Sequence, residues 1–255
     1  MVLLMTSIYN NFSLNFNNFK QIAFRSNSQS SIPFTSANNG ITDSFTSNPL
    51  TKSNGIEQLE AEAKANPRIK SLLNEHNLPV KINETAYREI KPHLLSTRIL
   101  AANIYSGLPR ELKEQINLQD LQDAAMFHDY GKVLIPDNVL NKHGKLNDEE
   151  WDIMKLHSEL GYELIKNKNI SNHAMNLIKY HHQGPEGNGY PQIDKDFDYG
   201  IDSQILTVAD KYNALVEARS YKEAMSKEDA LGIIAKDVEN GTISQEVFDA
   251  LQKAV

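Results

Sequence analysis

Histidines recur where helical spacing predicts the hydrophobic core, and this feature limits the fold more than any other. In LQDLQDAAMFHDYGK, one helical face carries Leu118, Leu121, Ala125 and His128. His128 is therefore expected to point inward, with Asp129 beside it, and Gly131 is predicted to end the helix. An imidazole and a carboxylate that face a core need a partner or a metal ion, because burying an unpaired charge is costly.

Later segments repeat this arrangement. In WDIMKLHSELGYELI, one face carries Ile153, His157, Leu160 and Leu164. The next helical face carries Ala174, Ile178 and His181, with His182 beside them, and the apolar run ILTVADKYNAL contains Asp210. A single inward histidine is more often a hydrogen-bonded core residue than a ligand. Several of them, accompanied by two aspartates, are most simply explained by a metal site.

The composition limits both the metal and the partners. The 255 residues include no cysteine, so the ligands must be imidazole and carboxylate groups, which suit iron, manganese or zinc. A formal net charge of -7 argues against a nucleic-acid polymer or an anionic membrane as partner. The opening MVLLMTSIYNNFSL lacks the basic flank of a signal peptide, and no apolar stretch approaches bilayer length. We therefore predict a soluble, cytoplasmic protein.

The chain divides into three predicted parts. Residues 1–54 are rich in Asn, Ser and Thr without a sustained period, which is typical of a largely disordered leader. Residues 55–84 are predicted to form an N-terminal helical extension, and residues 85–255 a catalytic domain. No segment alternates as a strand does, and Asn147 with Glu150 fits a helix-starting capping box. The fold class is therefore all-α, a helical bundle around a metal centre.

Four separated motifs resemble those of one known family. They read HDYGKVLIPDNVL, HSELG, HHQGPEGNGYP and ADKYNALVEARSYKEAM. In order and approximate spacing they resemble the HD-GYP family of HD-superfamily phosphohydrolases, over the region from Glu89 to the C-terminus. The resemblance implies two or three divalent metals, iron or manganese, in the core of an HD-domain bundle. It also implies hydrolysis of cyclic di-GMP to pGpG or GMP by a metal-activated water.

The resemblance assigns a set of metal ligands. They are Glu89, His93, His128, Asp129, His157, His181, His182 and Asp210. Asp129 is expected to bridge two metals and to act in catalysis. Glu89 and His93 lie four residues apart, hence on one helical face. Pro92 is expected to interrupt that helix, and Glu89 can equally be read as an ordinary exposed glutamate.

The resemblance also implies contacts with the substrate. Lys132, which follows the HD pair (His128 and Asp129), is placed to meet a phosphate or a metal-bound oxygen and is a second candidate catalytic residue. Arg219 and Lys222 match family positions that contact substrate phosphates, although taken alone they would be read as surface cations in weak salt bridges. Tyr190 is expected to form a wall of the pocket or a lid over the substrate. Its alternative role is to anchor its own loop.

The third motif departs from the family pattern and leaves alternatives open. The family places a glutamate after the two histidines and an aspartate before Gly-x-Gly-Tyr-Pro, whereas this chain has Gln183 and Glu186. The expected ligand is a cyclic dinucleotide, cyclic di-GMP or a relative. One alternative is a non-catalytic module that binds a nucleotide or a protein, and another is an HD phosphohydrolase acting on a different nucleotide. A homodimer or a regulatory protein partner is compatible with the sequence.

Overall fold

Helices joined by short turns make up the structure, as the helical periodicity predicts. The computed structural model describes residues 51–193, 197–217 and 224–255. The helices are α1 (Thr51–Ala65), α2 (Pro67–Asn74), α3 (Glu84–Gly107), α4 (Arg110–Lys113), α5 (Leu118–Phe127), α6 (Asp137–Leu140), α7 (Asp148–Lys155), α8 (His157–Ile165), α9 (Asn172–Tyr180), α10 (Ile201–Val216), α11 (Lys227–Glu239) and α12 (Gln245–Ala254). A 3₁₀ helix (Tyr130–Leu134) follows α5. Pairing of the β type in these residues is limited to an isolated bridge between His182 and Tyr190, so the all-α prediction is confirmed.

Polar side chains set the starts of many helices. The capping side chain accepts a backbone N–H of the first turn at Asn66, Asn83, Asn117, Asn147, Ser171, Ser226 and Ser244. At Asn147 the cap is reciprocal, because Glu150 accepts the Asn147 N–H in return. The predicted capping box is thus confirmed. These caps fix where each helix begins and hence which of its residues face the core.

The long helix α3 is the centre of the bundle. It packs against α5, α10 and α12, while α9 packs on α5 and α8 packs on α9. Fully buried aliphatic side chains, among them Leu94, Leu121, Leu177 and Ile205, fill the space between these helices. The inward faces of α3, α5, α8, α9 and α10 therefore meet in one region, which is where the predicted polar residues lie.

Two glycines allow the 3₁₀ helix to lie directly against α8. A Cβ atom on Gly131 would lie 2.0 Å from the His157 carbonyl oxygen and 2.4 Å from the Gly161 nitrogen. A Cβ on Gly161 would in turn lie 3.1 Å from the Gly131 nitrogen. Only glycine at position 131 permits this backbone contact. The contact carries the residues just before Gly131 to the start of α8, where His157 lies.

Two expectations about helix ends need correction. Pro92 does not interrupt its helix, because α3 runs from Glu84 to Gly107 with Pro92 inside it. Burial of α3 against three other helices compensates for the hydrogen bond that proline removes. The helix before the HD pair ends at Phe127 rather than at Gly131. Asp129 has φ -95° and ψ 1°, a conformation that joins α5 to the 3₁₀ helix.

The predicted domain boundaries are only partly visible. Helix α1 begins at Thr51, within the last four residues of the predicted leader, and the rest of that leader lies outside the described residues. Residues from Lys52 to Val255 group as one compact unit. A division between an extension and a catalytic domain stays a prediction. Among the described helices, none has the length and apolar character needed to cross a bilayer.

Candidate metal centre

Seven predicted ligands converge into two adjoining groups. The three-histidine group consists of Asp129, His157, His181 and His182. The two-aspartate group consists of His93, His128, Asp129 and Asp210. Within each group, one nitrogen or oxygen atom from every residue lies within 4.8 Å of the others. Helices α3, α8 and α10 contribute His93, His157 and Asp210, while the other ligands lie just beyond α5 and α9.

Asp129 belongs to both groups because its two oxygens face opposite ways. Oδ1 lies 3.3 Å from His157 Nε2 on the three-histidine side. Oδ2 lies 3.5 Å from both His93 Nε2 and His128 Nε2 on the two-aspartate side. Lys132 Nζ also donates to Oδ2, at 2.5 Å. A carboxylate in this position can bind one metal ion through each oxygen.

Three histidines are oriented by the same local hydrogen bond. His128, His157 and His181 each donate Nδ1–H to the carbonyl three residues earlier, at 3.0, 2.7 and 2.7 Å. This bond fixes the ring and selects the tautomer whose Nε2 carries a lone pair. In the neutral form of each ring, Nε2 is therefore the atom with the lone pair, and it is directed at the centre.

The three-histidine group contains a contact between two acceptors that a bound cation would make favourable. His157 Nε2 lies 3.2 Å from His181 Nε2 and 3.1 Å from His182 Nε2. With Nδ1 holding the proton, neutral His157 and His181 face each other with two acceptors, which cannot form a hydrogen bond. A metal ion between them would turn the opposed lone pairs into ligands.

Burial keeps these three histidines neutral. It lowers the pKa of His157 to about 3, against the opposing effect of the Asp129 carboxylate. It lowers the pKa of His182 to about 4, and that of His181 well below its usual value, helped there by the neighbouring histidines. Neutral imidazole is the form that binds metal, so the group is ready for an ion near pH 7.

The two-aspartate group has the opposite electrostatics. Burial alone would lower the pKa of His93, but hydrogen bonds with Asp129, Asp210 and Glu217 raise it to about 11. Asp129 and Asp210 likewise outweigh burial at His128 and raise its pKa to about 9. The cationic neighbours hold the pKa of both aspartates well below the usual range, although burial opposes this. His93 and His128 are therefore expected to be protonated near pH 7, and an ion bound here would have to displace those protons.

Unpartnered atoms at the centre fit a metal site. His128 Nε2 and Asp129 Oδ1 are buried and have no hydrogen-bond partner in the described structure. His128 and Asp129 are at most 1% exposed, so bulk water does not reach them. Leaving buried polar atoms unsatisfied is costly, and one ion in each group would satisfy both. The residues present thus fit metal binding, and the kind of metal stays open.

Glu217 is a functional candidate that the sequence reasoning missed. Its Oε2 accepts the Nδ1–H of His93 at 2.8 Å, and its Oε1 accepts the Ser96 hydroxyl at 2.7 Å. The bond turns His93 Nε2 toward Asp210 Oδ1, 3.0 Å away. Glu217 directly follows α10 and comes seven residues, about two helical turns, after Asp210. That spacing is the signal that could have revealed it.

Gln183, a departure from the family pattern, holds the loop after the paired histidines. Its amide nitrogen donates to the Pro191 carbonyl, and its amide oxygen accepts the Gly189 N–H at 2.9 Å. A Cβ on Gly189 would lie 2.0 Å from the His182 carbonyl oxygen, so this position requires glycine. A glutamate at position 183 could accept the second bond but could not donate the first.

The loop places Tyr190 over the three-histidine group. Its ring centre lies 4.6 Å from that of His182 and 6.2 Å from that of His157. Burial raises the pKa of its hydroxyl, and the nearby Asp129 and Asp210 add to this, so the hydroxyl stays protonated. Tyr190 therefore lies where the sequence expects a pocket wall, and its contact with substrate stays a prediction.

Of the remaining predicted site residues apart from Tyr190, the structure describes Glu89 and Lys132. Glu89 lies exposed on α3 and belongs to neither group. Arg219 and Lys222 lie outside the described residues. Lys132 does reach the centre, through its bond to Asp129. The role of each of these residues stays a prediction.

The HD domain family model matches residues 80–247, about two thirds of the chain. The chain belongs to the HD domain family. Its motifs and relatives place it in the HD-GYP branch. The HD-GYP assignment made from the four motifs is thus confirmed.

Two relatives of this HD domain have names that state an activity. A cyclic di-GMP phosphodiesterase of Thermotoga maritima is 32% identical over 171 residues, which cover 66% of this chain and 45% of that protein. The cyclic di-GMP phosphodiesterase response regulator RpfG of Xanthomonas campestris is 38% identical over 129 residues, 48% of this chain and 34% of that protein. The chain thus spans less than half the length of either relative.

Two further comparisons involve other cyclic dinucleotides. A 3'3'-cGAMP-specific phosphodiesterase of Vibrio cholerae is 37% identical over 110 residues, which cover 42% of this chain and 21% of that protein. The HD domain of the phosphodiesterase PgpH of L. monocytogenes, solved with cyclic-di-AMP, is 16% identical with a TM-score of 0.47. That alignment covers 77% of this chain and 92% of the solved one.

Proposed function

We propose that this HD domain is a metal-dependent phosphodiesterase that hydrolyses a cyclic dinucleotide, with cyclic di-GMP as the first candidate and pGpG or GMP as products. The observation that carries the proposal is the pair of ligand groups joined by Asp129, with one carboxylate oxygen facing each group. The names of the relatives support the substrate class. We also propose that the enzyme acts in the cytoplasm.

Two divalent ions, iron or manganese, are the proposed cofactors. His157, His181 and His182 would hold one, His93, His128 and Asp210 the other, and Asp129 both. Ions held in this way lower the pKa of a bound water and polarise phosphoryl oxygens. A third ion would need Glu89, whose exposed position makes two the simpler number. Comparing the metal content of the wild type and Glu89→Gln tests this. We expect two ions in both proteins. A third ion that is present in the wild type and lost in the variant would contradict the proposal.

The protein side chains would position and neutralise the substrate. Lys132 holds Asp129 in place and brings a positive charge to the edge of the centre, where a phosphate would be attracted. We propose the same phosphate-binding role for Arg219 and Lys222. Tyr190, which keeps its proton, can donate a hydrogen bond to a substrate oxygen.

The deciding experiment uses protein purified without oxygen. Its metal content is determined, and turnover of cyclic di-GMP, 3'3'-cGAMP and linear pGpG is followed by chromatography beside a His128→Ala, Asp129→Ala variant. A His143→Ala, Asp123→Ala variant is the matched control, because both residues lie outside the two groups. About two ions per chain, and turnover lost only in the first variant, are expected. Bound metal without turnover of any cyclic dinucleotide would contradict the proposal and favour a different nucleotide or a binding module.

A further inference from the structure

Trp151 is an exposed aromatic side chain close to the candidate site. On α7 its side chain remains 46% exposed, and only Ile99 is a comparably exposed large hydrophobic residue among those described. The Trp151 ring centre lies 5.9 Å from that of Tyr190, with the ring planes at 82°. In this edge-to-face contact Tyr190 covers at most one face of the indole. At least one face is thus left for another ring.

A line of rings connects Trp151 with the three-histidine group. Tyr190 lies between them, because its ring also contacts that of His182, with ring centres 4.6 Å apart at 31°. The indole is therefore one ring farther from the centre than Tyr190. A phosphodiester bound at the centre carries its base one sugar away from the phosphorus. The base, rather than the phosphate, is the part of a dinucleotide that would reach Trp151.

The charges around Trp151 also favour the base over the phosphate of a dinucleotide. The first turn of α7 carries Asp148, Glu149 and Glu150. Glu150 is paired with Lys142, so the negative charge left near Trp151 comes from Asp148 and Glu149. Those two carboxylates repel a phosphate but not a neutral purine. Stacking needs only the π-face of the base and tolerates this surrounding charge.

We propose that Trp151 stacks on one purine base of the bound cyclic dinucleotide and so selects nucleotide substrates over smaller phosphodiesters. This inference rests on the proposed function. Loss of one base–aromatic stack weakens binding by about tenfold to a hundredfold. Because Trp151 is not among the metal ligands, the effect is expected in KM rather than in kcat.

Steady-state kinetics of Trp151→Ala and Trp151→Phe test the inference. For cyclic di-GMP we expect a KM about tenfold to a hundredfold higher in Trp151→Ala, with unchanged metal content and kcat. Trp151→Phe should recover most of the loss, and Ile99→Ala, which removes the other exposed large hydrophobic, should resemble the wild type. Equal losses of kcat and metal content would instead mean that Trp151 only supports the Tyr190 loop.

A binding measurement is available because Trp151 is the sole tryptophan of the chain. In the manganese-loaded protein, a phosphorothioate analogue of cyclic di-GMP should quench the tryptophan emission to saturation, whereas inorganic phosphate should not. Wild-type turnover with an unchanged KM in Trp151→Ala, or binding without quenching, would overturn the stacking inference alone. Failure of the wild type to hydrolyse any cyclic dinucleotide would overturn the proposed function together with the inference.

Discussion

The two halves of the metal centre, the three-histidine group and the two-aspartate group, share Asp129 but shift the pKa values of their histidines in opposite directions. In the three-histidine group, burial keeps the imidazoles neutral, with a pKa of about 3 at His157 and about 4 at His182. In the two-aspartate group, carboxylates raise the pKa of His93 to about 11 and of His128 to about 9. One half is ready for an ion, whereas the other must first release protons. The difference follows from the number of carboxylates facing each set of rings.

Removing Asp129 should have the largest effect, because it belongs to both halves. We expect Asp129→Ala to lose both ions and to lower phosphodiesterase turnover by about a thousandfold or more, since metal ions supply several kcal/mol of stabilisation. Elemental analysis and turnover measure this, with Asp123→Ala as control. Retention of one full ion in Asp129→Ala would mean that the halves are independent.

The pH dependence of metal affinity should separate the two halves. An ion entering the two-aspartate group displaces protons from His93 and His128, whose pKa values lie above 8. Raising the pH from 7 to 8 should therefore strengthen binding there by about a hundredfold, because about two protons are released. The three-histidine group carries no such protons at pH 7 and should change little.

Variants that keep only one half make this measurable. Asp210→Ala should leave the three-histidine group, and His181→Ala the two-aspartate group. Calorimetric titrations of each variant with manganese at pH 7 and pH 8 give the slope of metal affinity against pH for each group. Equal slopes in the two variants would show that the halves do not differ in protonation.

Glu217 offers a finer test of the two-aspartate half. Partners that orient a ligating histidine typically contribute tenfold to a hundredfold in metal affinity. We expect a loss of that size in Glu217→Ala, because His93 Nδ1–H loses its acceptor. Glu217→Gln keeps an acceptor oxygen and should recover part of the affinity. Titration of the second manganese ion measures both variants, and an unchanged affinity in Glu217→Ala would exclude the orienting role.

Gln183 offers the corresponding test of the three-histidine half. Gln183→Glu would place a carboxylate against the Pro191 carbonyl, where the amide now donates. We expect a loss of about 1 kcal/mol in the free energy of unfolding, since one hydrogen bond is replaced by a repulsive contact. Urea denaturation measures the loss. Gln192→Glu, on an exposed neighbour, is the control and should be close to neutral.

The sequence predicts the ligands better than their supports. His157 lies on a helical face that is otherwise apolar, and His128 and His181 directly follow such faces, so periodicity alone points all three inward. Their Nδ1–carbonyl bonds are local and follow from the same helical geometry. Glu217 was missed because its partner His93 is more than a hundred residues away, and its role depends on how α3 packs against α10.

Local rules were also outweighed by packing. Proline in a helix interior predicts an interruption at Pro92, yet α3 continues because its neighbours hold it in place. Glu89 is exposed although it lies four residues before buried His93. Which of the two faces the core depends on the rotation of α3 about its own axis. Such rotations are set by tertiary contacts that the sequence pattern does not specify.

Asp129 has a further consequence for the distance between the two proposed ions. Because each carboxylate oxygen faces one half, Asp129 would limit how far apart two bound ions could lie, whatever the packing of the helices. Sites with two metals keep them about 3.5–4 Å apart, a span that a bridging carboxylate matches. Thermal movement of the surrounding helices would then shift the histidines, while the distance between the two oxygens of the Asp129 carboxylate stayed the same. The spacing that the proposed reaction needs would thereby depend little on motions of the fold.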